Sequence, residues 1–195
     1  MANSLTPPAF TPADTLICVA LEDELPRELL PDWQVVYTGV GKINATQAIA
    51  EAWPKHRPRV ILNFGTAGAT APRIRGLVRV TEFAQRDMDV RGLGFALGET
   101  PFEDLGTIQF GEGGLSCGTG DQFVMSPPEL RTDLVDMESY ALAKYARSKE
   151  VDFICYKYVS DRADDNAAND WSTQVKKGAR AFLDNVIMKQ PAASY

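Results

Sequence analysis

The chain has 195 residues, 45% of them apolar and 24% charged, and its 20 Lys+Arg against 26 Asp+Glu leave a net charge of −6. That length and composition fit one globular domain with its own core, and they exclude a disordered, collagenous or coiled-coil chain. The negative balance argues against a binder of nucleic-acid backbones, which carries a basic surface.

No apolar run reaches the ~18–20 residues that a membrane span requires. Residues 1–14 carry three prolines and no basic stretch, unlike a secretory signal. They predict a flexible lead-in over residues 1–13, followed by a single domain over 14–190 in a soluble, cytoplasmic protein. Cys18, Cys117 and Cys155 are odd in number, far apart and set in apolar stretches, so buried thiols are expected rather than bridges or a metal site. The one histidine, His56, stands in the charged turn Pro54-Lys55-His56-Arg57-Pro58 and reads as solvated. Chemistry must then rest on carboxylates, hydroxyls, lysines or backbone groups, with neither a metal nor a cofactor implied.

Residues 15–21 form an apolar, partly β-branched run that predicts a buried strand. Glu22-Asp23-Glu24 and Pro26 follow, as in the first turn of a helix. A second strand is expected over 34–38, then the turn Gly39-Val40-Gly41 and a helix over 42–53 with Ile43, Ala45, Ala48, Ile49 and Ala52 at helical spacing. A third strand over 60–64 runs into a loop of small residues, Gly65-Thr66-Ala67-Gly68-Ala69-Thr70. Strands are also expected over 76–83, around Ile108 and Phe110, within 115–124 where a strand ends in a glycine loop, over 134–137 and over 153–159, with helices over 138–149 and 170–188. The alternation predicts an α/β fold: a single domain with a mixed, mostly parallel central sheet flanked by helices. Ligands in such folds sit beyond the C-terminal strand ends. There the sequence places three carboxylates, Glu24, Glu138 and Asp161, with Ser160 preceding the last. A carboxyl in a buried position of this kind can serve as a general acid.

Five segments taken together are more specific than their parts. Thr38-Gly39-Val40-Gly41-Lys42-Ile43-Asn44-Ala45, Asn63-Phe64-Gly65-Thr66-Ala67-Gly68-Ala69, Gly120-Asp121-Gln122-Phe123-Val124, Asp136-Met137-Glu138-Ser139 and Val159-Ser160-Asp161-Arg162-Ala163-Asp164 occur in this order. The set resembles the nucleoside phosphorylase/nucleosidase superfamily, and within it most nearly the 5′-methylthioadenosine/S-adenosylhomocysteine nucleosidases. Ala20-Leu21-Glu22-Asp23-Glu24 and Arg86-Asp87-Met88-Asp89-Val90 resemble further segments of that group.

The resemblance implies roles. Asp161 would protonate purine N7, Glu24 would activate the attacking water, and Ser160 would orient Asp161. Glu138 would accept hydrogen bonds from the ribose 2′- and 3′-hydroxyls, with Met137 against the sugar and Thr66 near sugar and water. Phe123 would stack on the base and the Val124 backbone would bond to it. Val40, Leu93, Phe95 and Trp171 would line the base and 5′ region, the Phe95 segment reaching into the partner's site of a homodimer. The implied partner is a small-molecule purine nucleoside, with no nucleic acid and no membrane. Hydrolysis is favoured over phosphorolysis because acidic Glu22-Asp23-Glu24 would repel phosphate. A purine nucleoside phosphorylase and a catalytically silent nucleoside-binding protein of the same fold are the alternatives. Lys157 stands where the nucleosidases commonly carry arginine, and segments near the 5′ region are shortened, so the base and the 5′ substituent stay open.

Overall fold

A computed structural model describes residues 8–103, 106–162 and 167–189, with the side chains of 167–173 outside the description. The apolar runs become the strands they predict. Along β1 (Thr15–Val19), β3 (Val60–Ala69) and β8 (Asp152–Asp161), successive residues point to opposite faces of the sheet. Leu16, Cys18, Ile61, Phe153 and Cys155 join one apolar layer with helices α1 (Lys42–His56) and α2 (Ser139–Ser148). Ile17, Val19, Leu62, Phe64 and Ile154 join the other with Ala179 and Phe182 of α3 (Ala167–Phe182), where Phe64 stacks on Phe182 at 4.3 Å. Covered on both faces, these strands carry no polar alternation.

The remaining strands are β2 (Gln34–Tyr37), β4 (Gly76–Gln85), β5 (Thr107–Gln109), β6 (Leu115–Thr119) and β7 (Leu134–Asp136). β2, β1, β3 and β8 run parallel to one another, and so do β4, β6 and β7. The two sets meet antiparallel, with Gly68 of β3 opposite Val135 of β7. Because β8 also pairs with β4, strands β3, β7, β6, β4 and β8 close into a ring. The Gly68–Val135 junction lies near the C-terminal ends of both its strands, so the two parallel sets deliver their chain ends to one place. This is the mixed, mostly parallel sheet that the sequence predicts.

Five expectations need correction. The small residues 65–69 are not a loop: β3 continues through them, paired with β8 throughout and with β7 at its end. At Gly65 the strand passes close to two charged side chains. A methyl on Gly65 would already touch Glu24 Oε1 at 3.4 Å and Lys157 Nζ at 3.5 Å. Secondly, α1 passes through Pro54 to His56, and the exposed helix then closes at Arg57, a left-handed residue whose N–H donates to Trp53 O. Pro54 is tolerated because the bond it forgoes lies on the solvent side, where Ala50 and Pro54 are both exposed. Thirdly, the last helix gives way to a π turn over Leu183–Ile187 that keeps Leu183 and Val186 buried. Fourthly, Phe110 falls just beyond β5, its N–H bonded to Thr81 O. Within the lead-in expected over 1–13, Phe10 is a core residue set edge-on against Trp33 at 5.9 Å, so the packed region begins before residue 14.

Candidate active site

The strand ends enclose a cavity of about 300 Å³, at the small end of the range for small-molecule sites. Its lining includes nine of the twelve residues singled out from the sequence, Glu24, Val40, Thr66, Phe123, Val124, Met137, Glu138, Ser160 and Asp161, while exposed Leu93 lies outside it. Phe95 lies outside the lining, on the loop after β4, and packs edge-on against Phe102 at 5.6 Å. The Trp171 side chain lies outside the described residues.

Each carboxylate is held by a different device. Glu24 ends the short 3₁₀ turn after β1 and is buried at 4% exposure. Its Oε1 accepts hydrogen bonds from both the Thr66 backbone N–H and the Thr66 hydroxyl, each at 2.7 Å, while Leu21 N–H donates to Oε2 at 3.3 Å. Two short donors on one oxygen fix that carboxylate's position. Asp161 ends β8, where the register against β3 slips: Ala67 pairs with Val159, Gly68 with Asp161, and Ser160 is the extra residue. A bulge of this kind re-aims the side chains beside it. Here Ser160 and Asp161 are both buried, and Ser160 Oγ donates to Asp161 Oδ2 at 2.7 Å.

Glu138 caps α2 and accepts the Gly41 N–H at 2.9 Å, which ties the end of β7 to the Gly39–Gly41 turn. Gly41 can serve because it adopts φ of +95°, a conformation that side chains disfavour. Burial, reinforced by the nearby Asp136 charge, pushes Glu138 up to about 7; Lys157 and the Gly41 N–H oppose that rise. Asp136, two residues earlier, moves the other way. Burial works against its ionisation, but the Lys157 ammonium at 2.8 Å holds it below the ordinary carboxylate value. The Thr119 hydroxyl at 2.6 Å and the Ser139 N–H at 2.9 Å add to that. Burial would also lower Lys157, yet the surrounding acids, Asp136 first among them, raise it. The ammonium therefore sits beneath the cavity floor, reaching Asp136 past side-chain-free Gly65.

Val40 and Phe123 are apolar yet 42% and 52% exposed. Together with Met137 and Val124 they give the cavity an apolar wall. At the rim, Asp121 accepts the Lys42 N–H at 2.8 Å, and the Asp121 N–H donates to Asp87 Oδ2 at 2.9 Å. Lys42 Nζ pairs with Asp87. This lacing fixes the 120–122 turn against the start of α1.

Two features escaped the reading of single positions. The Asp136–Lys157 pair was signalled by charges inside apolar strands, since a lysine within residues 153–159 must find an acid. Arg86, a further lining residue, follows β4 as the other site residues follow their strands. That shared position was its signal.

Such a fold, with four carboxylates and an apolar wall around one small cavity, defines a small-molecule enzyme or binding domain of the α/β class. More particularly, the family model of the phosphorylase superfamily matches residues 33–188, and the chain belongs to that superfamily. It is 28% identical over 187 residues to a 5′-methylthioadenosine/S-adenosylhomocysteine nucleosidase of Shewanella piezotolerans, covering 80% of each chain. It is 29% identical over 153 residues to the nucleosidase of the same name from Anoxybacillus flavithermus, covering 65% of this chain and 66% of that one. Among solved structures, a futalosine hydrolase mutant of Helicobacter pylori shares the fold with a TM-score of 0.80 at 20% identity, covering 90% of this chain and 98% of that one. The Helicobacter pylori 5′-methylthioadenosine/S-adenosylhomocysteine nucleosidase, in complex with a substituted pyrrolidinol, gives 0.79 at 20% identity over 92% and 100%.

Proposed function

We propose that the chain hydrolyses the N-glycosidic bond of a purine nucleoside, releasing the free base and the ribose moiety. The observation that carries this reading is the convergence of Glu24, Glu138 and Asp161, each with its own hydrogen-bond support, on one cavity with an apolar wall. The names of the relatives support it and supply candidate substrates: 5′-methylthioadenosine, S-adenosylhomocysteine and futalosine.

The chemistry follows from what such a bond requires. Asp161 donates a proton to purine N7, so that the C1′–N9 bond breaks with its electron pair passing to a neutralised base. Glu24 takes a proton from water as the water oxygen bonds to C1′. Glu138, ionised, accepts hydrogen bonds from the two ribose hydroxyls, and its charge favours the cationic sugar of the transition state. Phe123 and Val124 receive the base, and Thr66 helps hold Glu24. Phosphorolysis fits less well, because phosphate would enter a cavity lined by Glu24, Asp136, Glu138 and Asp161.

The test is base release from a nucleoside panel with and without phosphate. Release independent of phosphate is the expected result. Release only with phosphate would make the chain a phosphorylase, and saturable binding without release would make it a silent binding protein.

A further inference from the structure

Arg86 is buried at 7% exposure, and its backbone N–H donates to Thr119 O at 2.9 Å at the end of β6. Its side chain lies across a strand end stripped of side chains to admit it. A methyl on Gly118 would meet Thr132 Oγ1 at 2.7 Å before Arg86 Cβ at 3.3 Å, and one on Gly120 would overlap the guanidinium carbon at 2.8 Å. One guanidinium nitrogen, Nη2, donates to Gly120 O at 3.2 Å and to Gln122 O. Nε is buried with no hydrogen-bond partner among the described residues. No carboxylate forms an ion pair with Arg86 among those residues, although four line the same cavity. A guanidinium nitrogen buried without an acceptor is costly, and it is cheapest to keep where a ligand supplies one.

We infer that Arg86 is a specificity-determining residue that recognises a keto oxygen on the base, so that the site takes 6-oxopurine nucleosides in preference to 6-aminopurine ones. The inference rests on the proposed function, and within it on Phe123 and Val124 receiving the base. Arg86 is bonded to the carbonyl of Gln122, the residue before Phe123, which puts its charge at the base end of the cavity. A guanidinium only donates, and a keto oxygen only accepts. An exocyclic amine in the same place would set donor against donor and leave the charge unmatched. The pairing also strengthens during reaction: when C1′–N9 breaks, electron density moves through the purine onto the keto oxygen, facing the cation.

The experiment compares inosine with adenosine in the full chain, by base release and by equilibrium binding, for the wild type, Arg86→Met and Arg86→Lys. The expected result is a kcat/KM for inosine at least about tenfold above that for adenosine. Arg86→Met should bring the ratio to within about threefold of one, mainly through loss on inosine, with Arg86→Lys in between. A residue that only props the 120–122 turn would lower both nucleosides together and leave the ratio unchanged, which would overturn the inference. So would a wild-type preference for adenosine. If neither nucleoside loses its base, the binding ratio decides for Arg86, and the hydrolase reading is judged by the full nucleoside panel. Tighter inosine binding that Arg86→Met equalises supports the inference; equal affinities, or no binding of either, overturn it. Should Arg86→Met not fold, Arg86→Lys carries the same comparison of ratios.

Discussion

Asp136 and Glu138 stand two residues apart at the end of β7, both buried, and their carboxyls are driven in opposite directions. Asp136 has a lysine 2.8 Å away, a hydroxyl and the first N–H of α2, and it stays ionised. Glu138 has one backbone N–H, and burial together with the charge of Asp136 pushes it up to about 7. The buried ammonium of Lys157 is spent on Asp136. The other three carboxylates of the cavity take hydrogen bonds from neutral donors: Thr66 on Glu24, Gly41 on Glu138, Ser160 on Asp161. A paired charge is a structural anchor. A carboxyl that burial pushes up, as it does Glu138, keeps capacity to bind a proton near neutral pH.

Breaking the paired side should have the largest effect. Lys157→Met leaves Asp136 buried without its cation, which costs about 3–5 kcal/mol. At roughly 2–4 °C per kcal/mol for a chain of this size, the melting temperature should fall by about 10 °C at pH 7. The Asp136→Leu/Lys157→Met double variant should lose less than Lys157→Met alone, because it leaves no orphaned charge. A melting temperature for Lys157→Met within about 2 °C of the wild type would show that the pair anchors nothing.

Changes on the cavity side should leave folding intact and remove turnover instead. Asp161→Asn keeps the shape and an acceptor for Ser160 but has no acidic proton to give. Base release should drop by about 10²–10⁴-fold while nucleoside affinity stays within about tenfold. Glu24→Gln should do the same, since an amide still accepts from Thr66 but cannot take a proton from water. Single-turnover rates and calorimetric binding measure the two effects separately. Near-normal release by Glu24→Gln would remove water activation from its role, and unfolding of Asp161→Asn would move that residue to the paired, structural kind.

The fold was legible because apolar runs, glycine turns and helical spacing agree locally over most of the chain. Residues 15–19, 60–64 and 153–159 read as strands because nothing in them competes. Residues 65–69 misled for the opposite reason: small residues read as a loop, and it is pairing with β8 and β7 that makes them strand, a cause no local pattern contains. Glu24, Glu138 and Asp161 could be picked out because carboxylates at strand ends are conspicuous and the motifs resemble a known family. The opposed ionisation of Asp136 and Glu138 could not, since it depends on which of them meets the lysine from β8. The Ser160 bulge likewise comes from pairing β8 against β3, not from Ser160 itself.

The raised ionisation of Glu138 gives the comparison a sharper form. In the unfolded chain this carboxyl titrates near its ordinary 4.5, and in the folded chain at about 7. The folded state therefore binds the proton more tightly, and the stability this gives is complete below 4.5 and lost as pH rises through about 7. Glu138→Gln removes that loss, so the variant should melt above the wild type at pH 8, by roughly 2–4 °C for each kcal/mol involved, and level with it near pH 4. The same variant should bind nucleosides more weakly, because an amide oxygen is a poorer acceptor for two ribose hydroxyls than a carboxylate. Melting curves at the two pH values check the first part. A variant less stable than the wild type at pH 8 would place Glu138 with Asp136 among the anchors.

The smallest effect belongs to Phe123, which stands outside both kinds of carboxylate. Its ring is half-exposed, lines the cavity and follows a turn already fixed by Asp121, Asp87 and Lys42. The turn does not need the ring, so Phe123→Leu should shift the melting temperature by no more than about 2 °C, as for an exposed substitution. Stacking on a base depends on an aromatic face and is worth about 0.5–1.5 kcal/mol beyond area. Nucleoside affinity should accordingly fall about three- to tenfold, with turnover of the bound complex little changed. Affinity and melting temperature thus separate two uses of an exposed aromatic. Unchanged affinity with a fall of 5 °C or more would mean that Phe123 packs the turn and that the base lies elsewhere along the wall.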